Sequence, residues 1–141
     1  MTTQAGTPDR VVAQDSAVQL LTKLSELHGG LMIHQSGGCC DGSAPMCYPV
    51  GEYRIGQRDV LVGEVELPDP LPAVRVWING DQFELWKHTQ LILDVVPGRG
   101  AGFSLEAPEG VRFLSRSRTF TDAENDLLEQ HPPLVGAQLD D

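Results

Sequence analysis

The stretch Leu24-Ser25-Glu26-Leu27-His28-Gly29-Gly30-Leu31-Met32-Ile33-His34-Gln35 contains the change of period on which the fold turns. Upstream, Ala13, Ala17, Leu20, Leu24 and Leu27 recur at three- and four-residue steps, and Val18 and Leu21 widen that stripe. This spacing predicts a helix over residues 8–28. Thr7 is placed to cap it, and Pro8 suits the first helical position, where its missing N–H costs nothing. Gly29-Gly30 is the expected stop. Downstream the helical period is gone, and Leu31–Gln35 reads as a short strand.

Working outward, further strands are expected at 52–55, 59–66 and 73–78, the last carrying Val74, Val76, Trp77 and Ile78. Asn79-Gly80 signals a turn, and Asp81 is placed to cap a short helix ending near His88. Leu91–Val96 reads as a buried strand and 111–114 as a last one. Thr121 is expected to cap a short acidic helix through Glu129, which His131-Pro132-Pro133 ends. One long helix and then a run of strands with a short helix inserted predicts an α+β fold rather than a doubly wound sheet. No internal repeat is visible.

The chain has 141 residues, 40% of them apolar and 21% charged, which suits one soluble globular domain. The expected division is a disordered N-terminus at 1–7, a single domain at 8–130 and a disordered acidic tail at 131–141. The net charge is −10, and residues 121–141 carry six acids and no base. Without a basic stripe, nucleic acid and anionic membranes are disfavoured as partners. No apolar run approaches the ~20 residues of a membrane helix. No secretory signal is visible either.

Three cysteines, Cys39, Cys40 and Cys47, fall within nine residues in the segment between Gln35 and Tyr48. Glycines there let neighbouring side chains converge on one point, and thiolates are soft ligands for zinc, copper(I) or iron–sulfur centres. His34 precedes the first cysteine by five residues, and Asp41 follows the second. Met46 adds a thioether beside Cys47, a lean toward copper(I). The spacing C-C-x6-C is not the C-x2-C pair of the strong zinc signatures. A metal or cluster site, thiol redox chemistry and plain packing of small residues all remain open on this pattern.

Glu84 and His88 stand four residues apart on the short helix, a spacing that suits a metal or a proton shuttle. An exposed contact at a helix end is the more economical reading. Phe83 and Trp86 read as core, and His28 and His131 as solvated. Pro97-Gly98-Arg99-Gly100-Ala101-Gly102 lacks the lysine and the helix of a phosphate loop and reads as a tight hairpin turn. No Ser-His-Asp order, nucleophile elbow or dinucleotide fingerprint occurs, which points away from a single-chain enzyme.

Three segments carry a resemblance: His28–Tyr48 with its cysteines, Asp81–Gln90 with Trp86-Lys87-His88, and Asp94–Glu106. Together they resemble the domain-of-unknown-function family numbered 779, over about residues 10–120. Its members are small bacterial proteins often encoded beside aldehyde dehydrogenases, so the resemblance implies an accessory role in aldehyde or alcohol oxidation. Ser36-Gly37-Gly38-Cys39 and Gly100-Ala101-Gly102-Phe103 are more distantly similar to the HesB-like A-type iron–sulfur carriers. That likeness implies a HesB-like β-rich core and puts Cys39 at a cluster-ligand position. The carriers end in a Cys-Gly-Cys pair, and residues 111–120 contain no cysteine.

The expected function is therefore that of a cytoplasmic accessory protein serving an aldehyde dehydrogenase. It holds zinc, copper(I) or an iron–sulfur centre through Cys39, Cys40 and Cys47, with His34, Asp41 and His88 as further ligand or outer-shell candidates. The alternative is a thiol-dependent enzyme or redox protein acting on a small aldehyde or thiol adduct. In that case Cys39 is the nucleophile and His88 or His34 the base.

Overall fold

Val11-Val12-Ala13 form a strand, β1, where the sequence predicts the first turns of a helix. The computed structural model describes residues 8–35, 45–51, 55–98, 105–106, 109–133 and 135–136, apart from the side chains of residues 85 and 86. β1 pairs in parallel with a strand far along the chain, placing Val11 beside Leu91 and Ala13 beside Leu93. Two β-branched residues in a row suit that pleated surface better than a helix. The helix α1 therefore starts only at Asp15 and runs to His28. Thr7, the expected cap, lies outside the described residues. Gly29 ends the helix at φ 86°, and its N–H bonds to the Ser25 carbonyl at 2.8 Å. Ala17, Leu21 and Leu24 carry the buried stripe, whereas Leu27 is 63% exposed.

Three helices and seven strands in two sheets make up the described residues, a compact α+β fold. After α1 come β2 (Leu31–Gln35), β3 (Met46–Pro49), β4 (Val60–Val65) and β5 (Val74–Ile78). They form one sheet in the order β3-β2-β5-β4, with β2 and β5 parallel. Next are α2 (Gly80–Trp86), β6 (Thr89–Pro97), β7 (Val111–Thr119) and α3 (Asp122–Glu129). β1, β6 and β7 form the second sheet. Of the strand expected at 52–55, residues 52–54 lie outside the described residues, as does most of the turn at 97–102.

The core lies between the two sheets and α1, built from Leu21, Leu24, Ile33, Val74, Val76, Leu93 and Phe113 among others. Each such side chain contributes roughly 1.5–3 kcal/mol on burial. The sheets approach most closely where β1 meets β4. A Cβ on Gly63 would sit 2.6 Å from Val11 Cγ1, so only glycine admits the valine there. A register shift between Leu61 and Gly63 marks the same place.

β7 runs five residues beyond the expected 111–114. Its second half, Ser115-Arg116-Ser117-Arg118-Thr119, is polar and gives no apolar signal, but β6 pairs with it along the whole length. Arg116 also binds Asp94 at 2.7 Å, holding that carboxyl below its usual range with help from the Val95 N–H. α2 takes its cap from Asn79, whose side chain accepts from the Asp81 N–H at 2.9 Å. Asp81 is left to pair with Arg58. α3 has the expected cap, with Thr121 and Glu124 satisfying each other's backbone N–H groups.

The chain after α3 does not leave the domain at 131. Val135 bridges Val60 at the start of β4, and the Gly136 N–H donates to the Asp59 carbonyl at 2.7 Å. A Cβ on Gly136 would collide with the Gly56 carbonyl oxygen, so this contact also requires glycine. Deleting residues 132–141, or substituting Gly136→Val, is expected to lower the melting temperature by on the order of 3–6 °C. Unchanged calorimetric melting in both variants would show that this segment carries no stability.

Candidate functional site

All five residues of β2 are buried, although the strand ends in His34 and Gln35. Alternate side chains of a strand point to opposite faces of its sheet. Leu31, Ile33 and Gln35 share the face toward the second sheet, where Gln35 Oε1 accepts from the Ser115 hydroxyl at 2.8 Å. Met32 and His34 share the outer face, with Trp77 beside His34 in register on β5. Trp77 and Met32 are themselves buried, so the outer face is covered around His34, although Arg75 beside Met32 stays exposed.

On that face His34 Nε2 lies 3.1 Å from Asp59 Oδ2, with side chains 2% and 9% exposed. Asp59 is fixed independently, since Oδ2 also accepts the Gly56 N–H at 2.8 Å and its own N–H donates to the Gly56 carbonyl. A carboxylate held against an imidazole fixes the ring's orientation, which is the arrangement behind both metal-ligating and proton-transferring histidines. His34 pairs in register with Met46, the first residue of β3. The rung they form is thus the last before the segment 36–44 that joins the two strands.

Cys47 lies one residue along β3 and pairs with Ile33, so it faces the opposite side of the sheet from His34. It is fully buried in the apolar core, and its N-terminal neighbour Met46 is partly exposed. Burial above all, and then the nearby Glu106 charge, pushes its thiol well above the ordinary range. Glu106 is buried too, with Oε2 3.4 Å from the Phe113 N–H, and the Leu105 N–H binds the Cys47 carbonyl at 3.0 Å. The expected convergence of Cys47 with His34 is therefore absent, because one strand register puts them on opposite faces. Cys39, Cys40 and Asp41, the other expected ligands, lie outside the described residues.

His88 is elsewhere. It lies just past α2, exposed, with Nδ1 3.3 Å from Asn125 Oδ1 on α3. Glu84 pairs with Lys87 at 2.9 Å rather than with His88. The exposed Glu84–His88 contact expected from the spacing does not form, because α2 ends at Trp86 and each side chain takes another partner. Among the described residues no three His, Cys, Asp or Glu side chains gather as metal ligands.

Two comparisons with known proteins are empty and one is not. A family model described as Domain of unknown function (DUF779) matches residues 20–119. The chain belongs to the DUF779 family. No curated protein matches this DUF779 chain, and no solved structure does, so the HesB-like character of its core is not shown. No described helix of the DUF779 chain is long and apolar enough to cross a membrane.

Asp59 and Glu106 are the site residues that sequence reading misses. Asp59 stands just before the apolar run Val60-Leu61-Val62, with a glycine three residues earlier, which is a turn signal and nothing more. Its approach to His34 depends on β4 reaching β2 through β5.

In a Cys39→Ser/Cys40→Ser variant, Cys47 is expected to resist a disulfide reagent at about pH 8 until the protein unfolds. An unfolded thiol ionises near pH 8.5–9, whereas the folded one keeps its proton to higher pH. The unfolded state therefore sheds protons first, and stability falls as pH rises above that range. Denaturant titrations should show this slope reduced in Cys47→Ala. Rapid labelling of the folded double variant would place the thiol at the surface instead.

Proposed function

We propose that this chain is a cytoplasmic accessory protein that holds a metal ion or cluster at the root of the 36–44 segment and serves an aldehyde dehydrogenase. The ligand role goes to Cys39 and Cys40, with His34 as the imidazole and Asp59 orienting it from behind. Cys47 is left out of the set, since a protonated thiol packed among aliphatic side chains is a poor ligand. The observation that carries this reading is the buried His34–Asp59 contact on the rung from which the cysteine-bearing segment departs. A histidine buried at the end of a strand without such a role is costly to keep. Two soft thiolates and one imidazole suit zinc or copper(I). The link to aldehyde oxidation rests on family membership and on the company its members' genes keep.

The thiol-enzyme alternative names Cys39 as its nucleophile, which lies outside the described residues; of its two candidate bases, His34 is held by Asp59 and His88 contacts Asn125.

Elemental analysis of protein purified without added metal tests the proposal. Roughly one metal equivalent per chain is expected, lost in Cys39→Ser/Cys40→Ser, weakened about 10–100-fold in Asp59→Asn, and unchanged in Cys47→Ala. Metal-free protein, or metal retained by the double variant, overturns it. Co-elution with an aldehyde dehydrogenase encoded beside the gene tests the partner, and its loss in the metal-free variant is the expected result.

A further inference from the structure

Arg10 is an odd cation in an acidic protein. Lys23, Arg58, Arg75, Lys87, Arg116 and Arg118 each pair with a carboxylate. Among the described residues no carboxylate comes within ion-pair distance of Arg10. Its two terminal nitrogens donate to the carbonyls of His131 and Leu128 at the end of α3, at 3.1 and 3.0 Å. Its Nε is buried and has no partner. Partial burial lowers the Arg10 pKa, since the guanidinium gives up some of its water without gaining an anion.

The same side chain lines a cavity of about 170 Å³ between α2, α3 and the segment after α3. Its apolar walls are Phe83, Leu128, Pro132 and Pro133, and its polar groups include Lys87 and His88. That volume has room for several waters or for one short organic molecule. A second cavity of about 10 Å³ lies against Arg10, Phe83 and Lys87 as well, walled by Val62, Ile78 and Leu91. It has room for about one water. Lys87 is free to turn inward, because its contact with Glu84 is an exposed pair that contributes little. Glu129, also on the lining, opposes negative charge on a ligand, and so disfavours a dianion more than a monoanion.

We propose that this cavity binds a small monocarboxylate, its carboxylate held by Arg10 and Lys87 and its hydrocarbon part packed on Phe83 and Leu128. The guanidinium gains the anion that its burial calls for, and the apolar walls select a short hydrocarbon over a purely inorganic ion. The site uses neither His34 nor the 36–44 segment, so it stands apart from the proposed metal site.

The test is a titration of the full, metal-stripped chain with butyrate, followed by amide shifts in an NMR spectrum. Butyramide serves as the uncharged analogue and succinate as the dianion. Saturable binding is expected, with shifts gathered at residues 83–88 and 125–129. Butyramide and succinate should bind at least about tenfold more weakly. Lys87→Met keeps the stem and removes the charge, and should weaken butyrate by roughly tenfold with no change in melting temperature. Butyramide binding as tightly as butyrate, Lys87→Met binding unchanged, or no saturable shift would each overturn the proposal. Arg10 would then be a cap on α3 whose Nε is served by a buried water.

Discussion

A strand buried on both faces must find partners for every polar side chain it carries, and β2 carries two at its end. Gln35 meets Ser115 across the gap between the sheets, tying β2 to β7. His34 meets Asp59 on the outer face, tying β2 to the turn before β4. Removing one partner of such a pair leaves a buried polar group exposed to an apolar surrounding, which costs about 1–3 kcal/mol. The positions of β4, β7 and the turn at 56–59 are thus constrained by two residues of one strand. Asp59 extends the constraint further, because its carbonyl also receives the Gly136 N–H.

Much of the fold is legible in the sequence, and the failures have identifiable causes. Local signals were sufficient where an element's own residues determine it. The Gly29-Gly30 stop, the change of period at Leu31, β5 with its β-branched run and the Thr121 cap all follow from neighbours in sequence. They fail where a distant strand decides. Val11–Ala13 join the second sheet because β6 offers them an edge, and the polar half of β7 is a strand because β6 pairs along it. The segment after α3 looks like a solvated tail because Pro132-Pro133 breaks the helix and the chain ends in Asp140-Asp141. It nonetheless reaches Asp59 and Val60 through two backbone contacts that leave no trace in composition.

The candidate site divides along the same line. His34 is singled out by its place beside the cysteines, and the structure gives it a partner that no spacing rule could supply. Cys47 is singled out by the same clustering. A strand places it on the other side of the sheet from His34, since sequence proximity within a strand says nothing about which face a residue takes until the register is known. Cys47, the thiol whose surroundings are described, packs as a small hydrophobe.

β1 has a consequence for how the molecule is made. Val11 is made some eighty residues before Leu91, its register partner on β6. Until that neighbour emerges, the two valines and the notch at Gly63 have no second sheet to close against. The four-stranded sheet can assemble while synthesis continues, but the sandwich cannot, and its apolar inner face stays uncovered through that interval. A pairing this distant in sequence slows folding, because the loop-closure entropy is lost before the contact forms.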